Sequence, residues 1–289
     1  MISAVMRARR LALGAAALIQ TLCFYVAAGV ASFGWAVCHL FGWPAAPYLP
    51  LWFCSALVIY NADRLRRDPV DALNIPRRAA ATARLRSASK VVVTAAAMTL
   101  IVLPLMRKDW LTLALIAAGT PVCLNYSAPI FGFRFKDVPL LKTLFAPTIV
   151  SIAITGLPWL HDGLRGSWLS LVLIAFLAWC FLLYDMVLCD LRDLEGDRKM
   201  GIRSLPVCLG QRGTRISLGL LLGFIEIAAL VALAHAPPHF AAPWRLACIA
   251  APLYLGGLLL AVRKPRSEAF YEWWVEGMLF LPAVVCVAG

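Results

Sequence analysis

The chain has 289 residues, 62% of them hydrophobic and only 15% charged, a balance too apolar for a soluble domain and ordinary for a polytopic membrane protein. The formal charge of +12 is spread between apolar runs rather than gathered in one block, so lipid headgroups and anionic phosphates are the expected partners, not nucleic acid. The nine cysteines are scattered singly with no C-x-x-C pair, which argues against a disulfide framework or a thiolate metal centre.

From the N-terminus, MISAVMRARR leads into an apolar run too long for the core of a signal peptide, so it reads as a first transmembrane helix. Apolar stretches near twenty residues recur along the chain and predict nine spans, at about 11–33, 44–63, 89–106, 110–127, 140–159, 168–189, 214–235, 244–262 and 270–288. Several contain proline (Pro104, Pro121, Pro147, Pro252, Pro282), which membrane helices tolerate because neighbouring helices re-satisfy the freed backbone groups. The N-terminus and alternate connections hold 23 of the 27 Lys and Arg residues, which predicts a cytoplasmic N-terminus and an external C-terminus.

The second span runs into an acidic group, YNADRLRRDPVDALNIPRR from Tyr60 to Arg78, with Asp63, Asp68 and Asp71 as candidate ligands and Asn61 and Asn74 as polar neighbours. Asp68 directly precedes Pro69, which biases it out of helical geometry, so the three acids converge if the helix unwinds there. Between the fourth and fifth spans lie Tyr126, Ser127 and Pro129, followed by Arg134, Lys136 and Lys142. The basic residues there serve equally well as cytoplasmic anchors, and Lys142, just inside the fifth span, is the best placed to meet a phosphate.

The sixth span ends in the most informative stretch, YDMVLCDLRDLEGDRKMGIRSLPVCLG, from Tyr184 to Gly210. Asp190, Asp193 and Asp197 stand in D-x-x-D-x-x-x-D spacing, so on a helix all three fall within roughly 60° of one another. Three carboxylates on one face repel unless a cation sits between them. At a membrane surface the natural candidate is Mg²⁺, held by a few carboxylates and the oxygens of a substrate phosphate. Two acidic groups, at the ends of the second and sixth spans, are expected to hold Mg²⁺ across a diphosphate, with Arg64, Arg198 and Arg203 neutralising other phosphate oxygens. Asp185, one turn inside the sixth span, is an intramembrane carboxylate and a candidate contact to a substrate or metal. Glu226 and Glu276 carry the same suspicion without flanking motifs. The four histidines (His39, His161, His235, His239) fall at outer span ends, which disfavours a haem or zinc protein.

These segments resemble the UbiA superfamily of intramembrane prenyltransferases. DLRDLEGDRKMGIRSLPVCLG is similar to the family's D-x-x-D-x-x-G-D followed by G-x-x-T-L-P-V-x-L-G, with Ser204 in place of Thr. Tyr126, Ser127 and Pro129 with the basic residues after them resemble its Y-S-x-P…K segment. The first motif departs from N-D-x-x-D-x-x-x-D: with Asp63 as the first spaced acid, the second falls on Arg67 and the Asn position on Ile59, while Asn61 is out of register.

The resemblance implies an all-α transmembrane domain over residues 1–289, its helices around a central apolar cavity, in a bacterial inner membrane with the site facing the cytoplasm. It implies a Mg²⁺-assisted transferase moving a prenyl group from an allylic diphosphate to an unidentified, often aromatic, acceptor. Asp63, Asp190, Asp193 and Asp197 would be catalytic and would hold metal along with Asp68 and Asp71. Arg64, Lys142, Arg198 and Arg203 would bind diphosphate. Asn61, Tyr126, Tyr184 and Asp185 would contact substrate, with Tyr126, Tyr184 and Trp179 placed to stabilise a carbocation. The alternatives are a terpene cyclase on the same scaffold and a non-catalytic lipid-binding or transport relative.

Overall fold

The structure is a computed structural model that describes residues 14–66, 68–163, 167–235 and 241–288. Among them there is no strand. A short helix α1 (residues 14–21) is followed by α2 (Phe24–Phe41), α3 (Leu49–Leu65), α4 (Pro69–Asn74), α5 (Pro76–Arg84) and α6 (Arg86–Met106). Then come α7 (Trp110–Leu124), α8 (Leu141–Asp162), α9 (Trp168–Lys199), α10 (Leu205–His235), α11 (Ala241–Ala261) and an irregular last helix α12 (Glu268–Ala288).

Six of these helices are long and apolar enough to cross a membrane: α2, α6, α8, α9, α10 over Leu205–Val231, and α12. The outward faces carry large apolar side chains at high exposure, such as Leu220 (71%), Leu253 (71%) and Val287 (75%), which suits contact with lipid tails rather than water. The inward faces of α2, α3, α8, α9, α10, α11 and α12 meet in one buried cluster that includes Ile154, Tyr184, Leu188, Leu218, Leu255 and Met278. All nine cysteines are unpaired.

The expected first span, 11–33, differs from the fold. Helix α1 stops at Thr21, Cys23 takes a left-handed conformation (φ 64°), and the long helix starts afresh at Phe24. Breaking a helix inside an apolar run frees carbonyls that cannot be left bare in lipid. Arg64 donates from Nη1 to the carbonyls of Gln20 (2.8 Å) and Thr21 (2.9 Å), and Asn61 Nδ2 donates to that of Leu22 (3.0 Å). Two polar residues of α3 thus satisfy the break from across the helix pair.

Other departures have local causes. Helix α9 continues about ten residues past its expected end, because its acidic stretch keeps helical geometry through Lys199. Helix α10 bends at Gly210, whose φ of 68° and ψ of 172° lie outside the helical region. Between α3 and α4 the helix does unwind: Asp68 has φ −59° and ψ 129°, and its side chain caps α4 by accepting from Val70 N at 3.1 Å. At the opposite end of the bundle Tyr48 donates to Asp162 (2.5 Å), and Thr112 pairs with His161 (3.0 Å).

Replacing Asn61 with Leu should lower stability by about 1–3 kcal/mol, because the Leu22 carbonyl would lose its donor in an apolar setting. Denaturation of the detergent-solubilised variant checks this, and an unchanged midpoint would mean that the break at Cys23 does not need Asn61.

Candidate functional site

The centre of the site is built by α8 and α9. The spacing of Asp190, Asp193 and Asp197 puts them on one face of α9, and that face turns towards Lys142 in the first turn of α8. Lys142 Nζ lies 2.5 Å from Asp197 Oδ2, 3.3 Å from Asp190 Oδ1 and 3.9 Å from Asp193 Oδ2. One cation among the triad is therefore a side chain of the protein. Lys142, Asp190 and Asp197 are 8%, 1% and 0% exposed, so these charges stand largely out of water.

Further residues lock the group. Thr143 donates its hydroxyl to Asp190 Oδ2 (2.5 Å) and accepts from Leu205 N (3.0 Å), tying α8 to α9 and to the start of α10. Arg192 grips Asp193 with two hydrogen bonds, of 2.7 and 3.1 Å, and lies over the Tyr271 ring at 5.3 Å. Gly196 lies under Asn74 of α4, where an added Cβ would fall 1.9 Å from Asn74 Oδ1. A glycine between Asp193 and Asp197 is thus what lets the first acidic segment press against the second.

The first acidic segment is divided. Asp68 binds Lys136 Nζ (2.7 Å) and Arg134 Nη1 (2.9 Å), so the loop after α7 is clipped to it. Its burial disfavours ionisation, but Lys136, the Val70 amide and Arg134 outweigh that and hold the carboxyl below its ordinary range. Asp63 and Asp71 form no salt bridge in the described structure and lie within electrostatic range of each other. Burial and the charge of Asp63 push the Asp71 carboxyl up to about 6. Tyr126, stacked on Phe145 at 5.5 Å, feels the charges of Asp63, Asp190, Asp193 and Asp197 together and so marks where the two acidic segments approach.

Other residues singled out from the sequence stand elsewhere. Arg64 is spent on the carbonyls of Gln20 and Thr21, although it also lines a cavity of about 220 Å³ with Asp68, Asp71, Arg78 and Arg86. Asn61 is fully buried on the Leu22 and Leu57 carbonyls. Tyr184 is also fully buried and donates to Leu255 O at 2.9 Å, so it packs α9 against α11 rather than lining an opening. Arg198 and Arg203 are exposed, off the buried face of the triad. Asp185 lies deeper, with Oδ1 buried and without a hydrogen-bond partner. Sequence reasoning missed Thr143, Arg192 and Arg78; Thr143 adjoins Lys142, and that adjacency was its one signal.

Among the described residues, no three acidic, His or Cys side chains are gathered closely enough to hold a metal ion by themselves. The donors still suit Mg²⁺, since they are hard carboxylate oxygens, and Asp197 Oδ1 is buried with no hydrogen-bond partner. Mg²⁺ commonly takes only one or two carboxylates and completes its shell with substrate phosphate and water. The carboxylates present therefore fit Mg²⁺ only with its shell completed by oxygens from outside the described residues.

Residues 68–280 match the UbiA prenyltransferase family. The chain belongs to that family. It is 25% identical over 230 residues to the digeranylgeranylglyceryl phosphate synthase of Natronomonas pharaonis, covering 78% of this chain and 77% of that protein. No solved structure is detectably similar to it. Family membership and the spanning helices make this an integral-membrane prenyltransferase.

Asp71 gives the site a pH signature. Its folded pKa of about 6 lies above the ordinary value of 3.8, so its stabilising contribution is full below pH 3.8 and lost as pH rises through 6. Without divalent cations, Asp71→Asn should therefore melt higher than the unmodified protein at pH 7.5, with the gain vanishing towards pH 4. Melting curves at the two pH values check this, and a pH-independent gain would contradict it.

Proposed function

We propose that this prenyltransferase moves a prenyl group from an allylic isoprenoid diphosphate to an acceptor, with Mg²⁺ assisting loss of the diphosphate at the cytoplasmic face. The observation that carries the reading is the cluster of Lys142 with Asp190, Asp193 and Asp197, approached by Asp63 and Tyr126. The three acids exceed the charge of Lys142 and Arg192 by one, so the cluster keeps an appetite for a cation. Lys142 and Arg78 supply positive charge for an anion. A site that pairs surplus carboxylates with buried cations matches a metal–diphosphate complex better than either ion alone.

Asp190, Asp193, Asp197 and Asp63 would hold Mg²⁺, with Asp71 as the flanking charge, and Mg²⁺ when bound would offset charge growing on the leaving diphosphate. Lys142 stabilises the same oxygens from its fixed place in α8. Tyr126, which lies in range of both acidic segments, would stabilise positive charge developing on the allylic carbon. The surrounding helices supply the dry setting in which that cation meets the acceptor before water does. The prenyl tail would lie in an apolar chamber among the helices, within a domain spanning 1–289 and nine spans with the N-terminus inside. The family resemblance makes an aromatic ring one candidate acceptor. The Natronomonas pharaonis relative, by its name, makes a glyceryl phosphate, which adds a hydroxyl-bearing acceptor to the candidates.

Asp193→Asn should reduce diphosphate release from a prenyl diphosphate in magnesium buffer by at least about 100-fold, on the scale of removing one preorganised electrostatic contact. A coupled pyrophosphate assay measures it, and release at the unmodified rate would contradict the proposal.

A further inference from the structure

Helix α9 presents two polar stripes. The triad looks at Lys142, while Asp185, Cys189 and Arg192, at offsets of four and seven residues, share a second stripe. That stripe meets α12, where the backbone widens into a π-turn over Tyr271–Val275 and then tightens over Glu276–Phe280. The irregular turn brings Glu276 inward: it is 8% exposed, although it is charged. Its Oε1 lies 3.6 Å from Arg78 Nη1, while its Oε2 is buried with no hydrogen-bond partner. Asp185 Oδ1 is likewise buried and without a hydrogen-bond partner among the described residues, and Asp185 lies within electrostatic range of Glu276, Arg192 and Tyr60. Arg78 connects this place to the open cavity of about 220 Å³ that it lines.

Two partnerless carboxylate oxygens inside a membrane helix bundle are a standing deficit, since buried acceptors are otherwise satisfied. Both lack a donor, so the ligand that completes them must bring O–H or N–H groups. Asp185 stands five residues from Asp190, about 7.5 Å of helical rise, so the second stripe begins less than two turns from the triad.

Resting on the prenyltransferase reading, we propose that Asp185 and Glu276 form the acceptor subsite, that the acceptor is a protic nucleophile carrying a hydroxyl or amine, and that Asp185 takes its proton. The acceptor's O–H or N–H bond breaks and the proton passes to Asp185 Oδ1. The freed electron pair forms the bond to the allylic carbon, and the carbon–oxygen bond to the diphosphate breaks with its pair leaving on the diphosphate. Glu276, anchored by Arg78, accepts a second hydrogen bond and fixes the acceptor's orientation.

The test uses the protein in nanodiscs, tritiated geranyl, farnesyl and geranylgeranyl diphosphates and a longer polyprenyl diphosphate as donors, and a lipid extract from cells lacking the gene, in which the acceptor accumulates. The unmodified protein should bind a donor and label a lipid. Failure to do either with every donor overturns the prenyltransferase reading and this inference with it. Asp185→Asn and Glu276→Gln should keep donor binding within about threefold, while labelling falls at least about 100-fold for Asp185→Asn, the scale of a lost general base. Acetic anhydride treatment of the extract, which caps hydroxyls and amines, should abolish labelling. Undiminished labelling by either variant, loss of donor binding in step with labelling, or labelling of the acetylated extract would each overturn the inference while leaving the transferase reading standing.

Discussion

The structure depends on four charges held in one place, the ammonium of Lys142 among the carboxylates of Asp190, Asp193 and Asp197. Burying any one of them alone would be prohibitive, and only mutual proximity makes the group tolerable. That requirement sets the register of α8 against α9, and Thr143 extends it to the start of α10. Through Asn74 on Gly196 it also fixes where the first acidic segment docks. The end of the bundle that carries the acidic segments is thus organised by electrostatics, while the remainder is organised by apolar packing.

Arg192 illustrates how the charge is distributed. It neutralises Asp193 from the same helix and, by lying over Tyr271, reaches the last helix. Helix α9 therefore joins two polar regions, one turned to Lys142 of α8, the other turned to α12 and short of hydrogen-bond donors. A group-transfer enzyme needs both a place for the leaving group and a place for the incoming nucleophile, close together but chemically distinct. On the proposed reading, the two stripes of α9, about 100° apart around the helix, would meet that need with fixed spacing.

Much of this was legible from the chain. The shared face of the triad follows from residue spacing, the non-helical Asp68 follows from Pro69, and the two acidic segments converge as helix ends would suggest. What stayed hidden depends on distant partners. Apolar composition says nothing about where a hydrogen-bond ladder breaks, so the interruption at Cys23 was invisible. With it was hidden the use of Arg64 and Asn61 on carbonyls some forty positions away. The irregular first motif has a similar explanation: Asp68 serves Lys136 and Arg134 in the loop after α7, leaving Asp63 and Asp71 as its acids without a salt bridge among the described residues.

The most direct test is a double-mutant cycle between Lys142 and Asp197, read by denaturation in detergent. Lys142→Met should cost about 3–5 kcal/mol by leaving three carboxylates buried without their cation. The pair should show a coupling of at least about 1 kcal/mol, because Lys142→Met and Asp197→Asn remove the same interaction. Effects that add within about 0.3 kcal/mol would contradict the account, for they would mean that Lys142 and the triad do not hold one another in place.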